Sequence, residues 1–240
     1  MTTALVCIAK NEDHYIEEWI AYHLKLGFDH IFIYANNWEF EYPHRRVSII
    51  PYPGENKQRD AYRYFLSHYR KAYTWAAFFD VDEYLVLKKS PTIREFLQDY
   101  EDAQAVAINW VMFGDNGLTE VSDDYSYLRR FTKRQIGVNE HIKCILNLTN
   151  NISRMDVHNP YDVPATDTNG NKVTGPYNPQ GDDTIAQLNH YYSRTIQEFK
   201  AKCDRGRADA YIKNDYSFHS THNHNDIEDT LARDFLYTIH

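Results

Sequence analysis

At 240 residues the chain is long enough for one sizeable α/β domain and short for two. Hydrophobic residues at 42% and charged residues at 25% are ordinary for a globular protein. The net charge of -8, with Lys and Arg scattered, argues against nucleic acid, which needs phosphate-neutralising cations gathered on one face.

The apolar run Ala4–Ile8 predicts a buried parallel strand, followed by the polar group Ala9-Lys10-Asn11-Glu12-Asp13. Ile16, Trp19, Ile20 and Leu24 share one face of a helix, with Asn11 as its expected N-cap and Gly27 as its stop. Strands are predicted at His30–Tyr34 and Val47–Ile50. A helix follows over Asn56–Ala72, then a strand at Trp75–Phe79. Strands alternating with helices predict an α/β fold with an open, mostly parallel sheet, which binds ligands at the carboxyl ends of its strands. Further on, the pattern predicts a helix over Thr92–Tyr100, strands at Ala105–Trp110, Lys143–Leu148 and Ser153–Val157, and a turn at Phe113-Gly114-Asp115-Asn116-Gly117. Residues 159–183 are rich in Pro, Gly, Asn and Asp and are expected to form a long mobile loop, a candidate lid. Leu188–Tyr192 reads as a strand. Thr195–Arg205 reads as a helix with Thr195 and Glu198 as a capping box and Gly206 at its end. One domain is expected over residues 1–213, with 214–240 a polar, His-rich tail. His219, His222 and His224 in that tail are too few for an ordinary structural zinc site.

The sharpest signal is Trp75-Ala-Ala-Phe-Phe-Asp80-Val81-Asp82-Glu83-Tyr84. An apolar strand runs into two aspartates spaced by one residue, and alternate residues of extended backbone share a face. Like charges placed together need a cation, and hard carboxylate oxygens suit Mn²⁺ or Mg²⁺. The bland alternative is an acidic strand end facing water.

Ile8-Ala-Lys-Asn-Glu12, Glu18-Trp-Ile-Ala-Tyr-His-Leu24, Gly27-Phe-Asp-His-Ile31 and Phe79-Asp-Val-Asp-Glu-Tyr84 together resemble glycosyltransferase families 2 and 92. Asn109-Trp110, Phe113-Gly114, Arg130-Phe131, His190-Tyr191, Glu198-Phe199, Lys202 and Arg205-Gly206 continue the match in order. The resemblance implies the nucleotide-diphospho-sugar (GT-A) form of the α/β fold. It also implies an inverting transfer from a nucleotide-sugar, UDP-galactose among the candidates, to a glycan or glycolipid. By the same resemblance Ala9, Asn11 and Glu12 contact the nucleotide, Asn36 stands where an Asp often meets the base or ribose, and Gln58 faces the nucleotide near Asp80 and Val81. A third metal ligand is expected from His158 or His190, with His158 preferred because the lid segment follows it; either can instead be a structural histidine. Asp115 and Glu140 are the two candidates for the base, though Asp115 fits a turn equally well. Lys143, Lys202 and Arg205 are expected to neutralise diphosphate charge, against the alternative of a solvated basic face.

Two rival functions remain at this stage. A nucleotidyltransferase of similar architecture would carry a Gly-rich loop after the first strand, and Ala9-Lys10-Asn11-Glu12 has no glycine. A non-catalytic carbohydrate-binding module would not need both Asp80 and Asp82. Cys7, Cys144 and Cys203 are too far apart for a disulfide framework, and no window reaches the ~18–20 apolar residues of a membrane span. A cytoplasmic enzyme is therefore expected, with peripheral membrane contact only through a glycolipid acceptor.

Overall fold

Thr3–Ala9 forms β1, and its alternate side chains enter two cores. Leu5, Cys7 and Ala9 join one cluster, while Ala4, Val6 and Ile8 join the other. A strand buried on both faces has no use for a polar residue, which is why this run is unbroken. The computed structural model describes residues 1–206 and 215–238, and the expected domain boundary at 213/214 lies outside them.

α1 (Ile16–Leu26) covers one face, burying Ile16, Trp19, Ile20, Tyr22 and Leu26. Each large apolar side chain fully buried contributes roughly 1.5–3 kcal/mol. Gly27 ends α1 at φ 104, a left-handed turn that only glycine adopts without strain. Asn11 is not its cap. The Glu12 carbonyl accepts from Tyr15 and Ile16 at 2.9 and 3.0 Å, so the chain turns first and the helix starts later. Asn11 itself sits at φ 50.

β2 (His30–Ala35) and β3 (Val47–Pro51) extend the sheet in parallel beside β1. α2 (Gln58–His68) covers the second face with Ala61, Tyr62, Phe65 and Leu66, and a short 3-10 turn at Arg70–Ala72 follows. β4 (Trp75–Phe78) lies parallel to β1 on its other side. β5 (Glu83–Leu87) leaves directly from the acidic cluster; α1 fixes it by bonds from Trp19 Nε1 to the Glu83 carbonyl at 2.9 Å and from Tyr22 OH to the Leu85 carbonyl at 2.8 Å.

α3 (Ile93–Gln98), capped by Thr92, leads to β6 (Ala105–Met112). α4 (Tyr127–Arg130), β7 (Lys133–Arg134) and β8 (Ile142–Asn147) follow. β8 runs antiparallel between β4 and β6. Ser153–Val157 is not a strand; its one ladder contact is an isolated bridge from Met155 to Pro160.

Residues 159–183 are no open loop. They add β9 (Ala165–Thr166) beside β6, and β10 (Lys172–Val173) beyond it. The Asp167 carboxylate accepts from the backbone of Asn169 and Asn171 at 3.0 and 2.8 Å, closing the turn between them. The Asn and Gly that suggested mobility are the residues such a turn requires.

β11 (Ala186–His190) inserts between β5 and β6, and α5 (Ile196–Arg205) carries the expected capping box and ends at Gly206. The ten-stranded sheet has the order β10-β9-β6-β8-β4-β1-β2-β3, with β11 and β5 joined through β6. The architecture is the mixed α/β sheet flanked by helices that the sequence predicts.

The C-terminal segment is packed rather than a loose tail. It forms α6 (Phe218–His222), β12 (Ile227–Glu228) paired with β7, and α7 (Leu231–Tyr237). Tyr237 donates to Glu18 of α1 at 2.6 Å. No helix among the described residues is long and apolar enough to cross a membrane.

Candidate active site

The parallel pairing of β1 and β4 sets their carboxyl ends side by side. The segments leaving those ends, Lys10–Glu12 and Asp80–Asp82, open onto one cavity. Gln58 reaches it from the start of α2, and Lys202 and Arg205 from the last turns of α5. His158, His190 and Trp110 complete it with Ile8, Val157 and Tyr192.

Every acid in this cavity is matched by a cation. Asp80 accepts from Gln58 Nε2 and Lys143 Nζ, both at 2.8 Å. The β4–β8 register carries Lys143 beside the end of β4, where its side chain is fully buried and also lies 3.6 Å from Glu83. Burial alone would lower the Lys143 pKa, but the Asp80 and Glu83 carboxylates raise it, so the amine is charged. Asp82 receives Lys202 Nζ at 2.6 Å and Arg194 at 3.3 Å, with His190 Nε2 at 3.6 Å. Burial pushes the Asp82 pKa up, and Lys202, His190 and Arg194 together hold it well below the carboxylate range. Glu12 pairs with Arg205 at 2.7 Å and with Arg194 at 3.6 Å. Arg205 in turn bonds the carbonyls of Lys10 and Asn11, and Lys10 Nζ donates to the Arg205 carbonyl at 3.1 Å.

His158 Nδ1 donates to the Ile142 carbonyl at 2.9 Å, which leaves the Nε2 lone pair free to accept or ligate. Burial lowers its pKa to about 4, so the ring is neutral. Burial lowers His190 too, and among the described residues neither its Nδ1 nor the buried Trp110 Nε1 has a hydrogen-bond partner. Asp80, Asp82 and His158 are thus two hard carboxylates and a neutral imidazole on one cavity; the carboxylates suit Mn²⁺ or Mg²⁺, and the imidazole is a further nitrogen donor. Among the described residues no three His, Cys, Asp or Glu side chains are already gathered as a cage. Mg²⁺ commonly takes one or two carboxylates and completes its shell with substrate phosphates, so an open set is sufficient.

Of the residues named from sequence, the cavity brings together Glu12, Gln58, Asp80, Val81, Asp82, His158, His190, Lys202 and Arg205. Lys143 stands directly behind Asp80. Ala9 is buried at the end of β1, and Asn11 is exposed, touching the site only through its carbonyl. Asn36 braces the loop after β3 by donating to the Tyr52 and Gly54 carbonyls at 2.9 and 2.7 Å, and does not line the cavity. Nor do the two base candidates. Asp115 is held by Gly117 N at 2.8 Å and by Asn223 Nδ2 at 2.7 Å, fastening the C-terminal segment to its turn. Glu140 is exposed, and its carbonyl accepts from Asn178 at 2.7 Å.

Sequence reasoning missed Arg194. It is 3% exposed, at φ 53, with its guanidinium 4.8 and 5.0 Å from the rings of Tyr15 and Tyr127. It lies 112 positions from Asp82, and no spacing announces it. Lys10 was visible as part of the polar group after β1, the one signal that could have marked it.

Residues 57–235 match the family described as Glycosyltransferase family 92. A glycosyltransferase family 92 protein of Ricinus communis is 24% identical over 233 residues, covering 85% of this chain and 37% of its own length. One from Oryza sativa subsp. japonica is 26% identical over 105 residues, 40% of this chain and 18% of its own length. The chain thus spans well under half of the curated relatives it matches. Among solved structures, TarS of S. aureus aligns with a TM-score of 0.41 and 11% identity, over 80% of this chain and 37% of that one.

Proposed function

The chain belongs to glycosyltransferase family 92, and from that premise we propose that it transfers a sugar from a nucleotide-sugar donor to a hydroxyl of a glycan or glycolipid. The observation that carries this reading is the single cavity at the ends of β1 and β4, where Lys10, Lys202 and Arg205 face Glu12, Asp80 and Asp82. A diphosphate would be met by those three cations. The pyrimidine of a UDP-sugar is the expected base. Asp80, Asp82 and His158 would hold Mn²⁺ or Mg²⁺, whose chemistry there is charge stabilisation of the departing nucleoside diphosphate. Lys143 holds Asp80 in place through an ion pair at 2.8 Å. Ile8, Val157 and Trp110 give the cavity apolar walls that limit water, and the unpaired Trp110 Nε1 and His190 Nδ1 are polar groups a ligand can satisfy.

The test is a melting-temperature panel of UDP-, GDP-, CMP- and dTDP-sugars with and without Mn²⁺, followed by nucleoside diphosphate release on adding oligosaccharide acceptors. A ligand at 100 times its Kd stabilises by about 2.7 kcal/mol. That corresponds to a rise of roughly 5–11 °C for a chain of this size. Asp82→Asn is expected to abolish the metal-dependent part of the rise. No shift with any nucleotide would sink the reading.

A further inference from the structure

Asp82 carries two cations of different kinds on its Oδ2 oxygen, while Oδ1 faces His190 Nε2 at 3.6 Å. Arg194, behind it, is buried, clamped against Tyr15 and Tyr127, and shared with Glu12. Its partners all lie within the protein, so it stays. Lys202, in front, lines the cavity and lies across the Tyr192 ring at 4.4 Å. Its Nζ touches Asp82 Oδ2 at 2.6 Å, and of the two cations on that oxygen it is the one that lines the cavity. Lys143 cannot play the same part at Asp80, since withdrawing it would leave both Asp80 and the fully buried Glu83 without a cation.

The charge balance points the same way. Glu12, Asp80 and Asp82 in the cavity wall are offset by Lys10, Lys202 and Arg205. Behind the wall, among the described residues that pair with these groups, Lys143 and Arg194 stand against Glu83. A bare divalent cation therefore enters a region that already carries a slight positive excess, whereas a diphosphate is attracted. A diphosphate also offers Lys202 a new partner within the same cavity, which frees Asp82.

We propose that Lys202 is a tethered cation that occupies the Asp82 position until a nucleoside diphosphate draws it away, so that divalent metal and nucleotide bind cooperatively and metal alone binds poorly. This rests on the donor-site reading above. Metal and nucleotide must then strengthen each other by the same factor, because binding couplings are reciprocal.

The experiment measures Mn²⁺ binding to the full chain from the loss of the free-ion electron paramagnetic resonance signal, with and without UDP. UDP binding is measured separately by calorimetry. Wild type is expected to bind Mn²⁺ at least about tenfold more tightly with UDP than without, within the usual range of such couplings. Lys202→Met should bind Mn²⁺ alone about tenfold more tightly than wild type, and UDP more weakly; Lys202→Arg should stay closed to metal. Opposite changes for the two ligands are not what a merely structural lysine would produce. Lys202→Gln serves as the second variant should the Met form fail to fold. Equal Mn²⁺ affinity with and without UDP in wild type, or no gain in either neutral variant, overturns the proposal while leaving the nucleotide site standing. If UDP, GDP, CDP and dTDP all fail to bind wild type in the presence and absence of Mn²⁺, the donor-site reading itself falls, and this inference with it.

Discussion

Glu198→Gln removes one charge and almost no volume from the start of α5. The carboxylate receives Arg130 at 2.8 and 2.9 Å, Tyr15 OH at 2.7 Å and Thr195 Oγ1 at 2.6 Å. Both ion-pair side chains are 5% exposed, so this is a buried pair. Breaking one partner of such a pair costs about 3–5 kcal/mol, because the other charge is left in a dry environment. Titration leads to a similar figure. Burial would raise the Glu198 pKa, but the bonds from Arg130, Thr195 and Tyr15 outweigh it and hold the group near 2, against an ordinary value of 4.5. That difference is worth about 3 kcal/mol at neutral pH. A depressed carboxylate contributes its stability above pH 4.5 and loses it as pH falls towards 2. The variant should therefore unfold at lower urea, melt roughly 6–20 °C earlier, and lose this acid-dependent step. Adding Arg130→Met should restore much of the loss, since a neutral pair of similar volume leaves no orphan charge. A loss under about 1 kcal/mol, the range of exposed pairs, would refute the claim that this pair is dry.

Lys143→Met leaves Asp80 and Glu83 facing each other without their shared cation, and urea unfolding should show a loss of about 3–5 kcal/mol. Gly114→Ala puts a methyl group 2.3 Å from the His224 carbonyl oxygen, a backbone atom that has to move. It should cost about 1–3 kcal/mol and raise amide exchange across residues 223–229; unchanged exchange there would contradict the packing of the C-terminal segment. Burial holds His23 neutral down to about pH 3 and His158 to about pH 4. Between pH 6.5 and 4 the unfolded chain binds more protons at both rings, so stability falls as pH falls, by about 3 kcal/mol at pH 4 for His23 alone. His23→Phe should flatten that part of the stability–pH curve.

How far the chain can be read without its structure depends on where the information sits. α5 was legible residue by residue, because Thr195, Glu198 and Gly206 are local start and stop signals. β1 and β4 were legible because burial on both faces leaves unbroken apolar runs. The cavity acids followed, since strand ends place them. Lys143 could be named but its environment could not: complete burial beside Asp80 comes from the antiparallel entry of β8, a long-range choice. Arg194 was invisible for the same reason. The segment 159–183 misled because Asn, Asp and Gly have the same composition in a tight turn as in a loose loop, and only the Asp167 hydrogen bonds distinguish them. Asp115 reads locally as an acid between glycines, while its partners Asn223 and Asn225 lie more than a hundred positions later.

The clasp between Lys10 and Arg205 joins residues 195 positions apart. At ordinary translation speeds of about 5–20 residues per second, roughly 10–40 s separate the synthesis of its two halves. For most of that interval Glu12 exists without Arg194 or Arg205, and Asp82 waits a shorter time, 112 and 120 positions, for Arg194 and Lys202. β5 and β6 likewise wait with open edges until β11 emerges to fill the gap between them. No fragment ending before β11 can therefore contain the complete cavity. A ribosome-bound chain halted near residue 180 would display a half-built sheet with exposed strand edges, a form prone to aggregation.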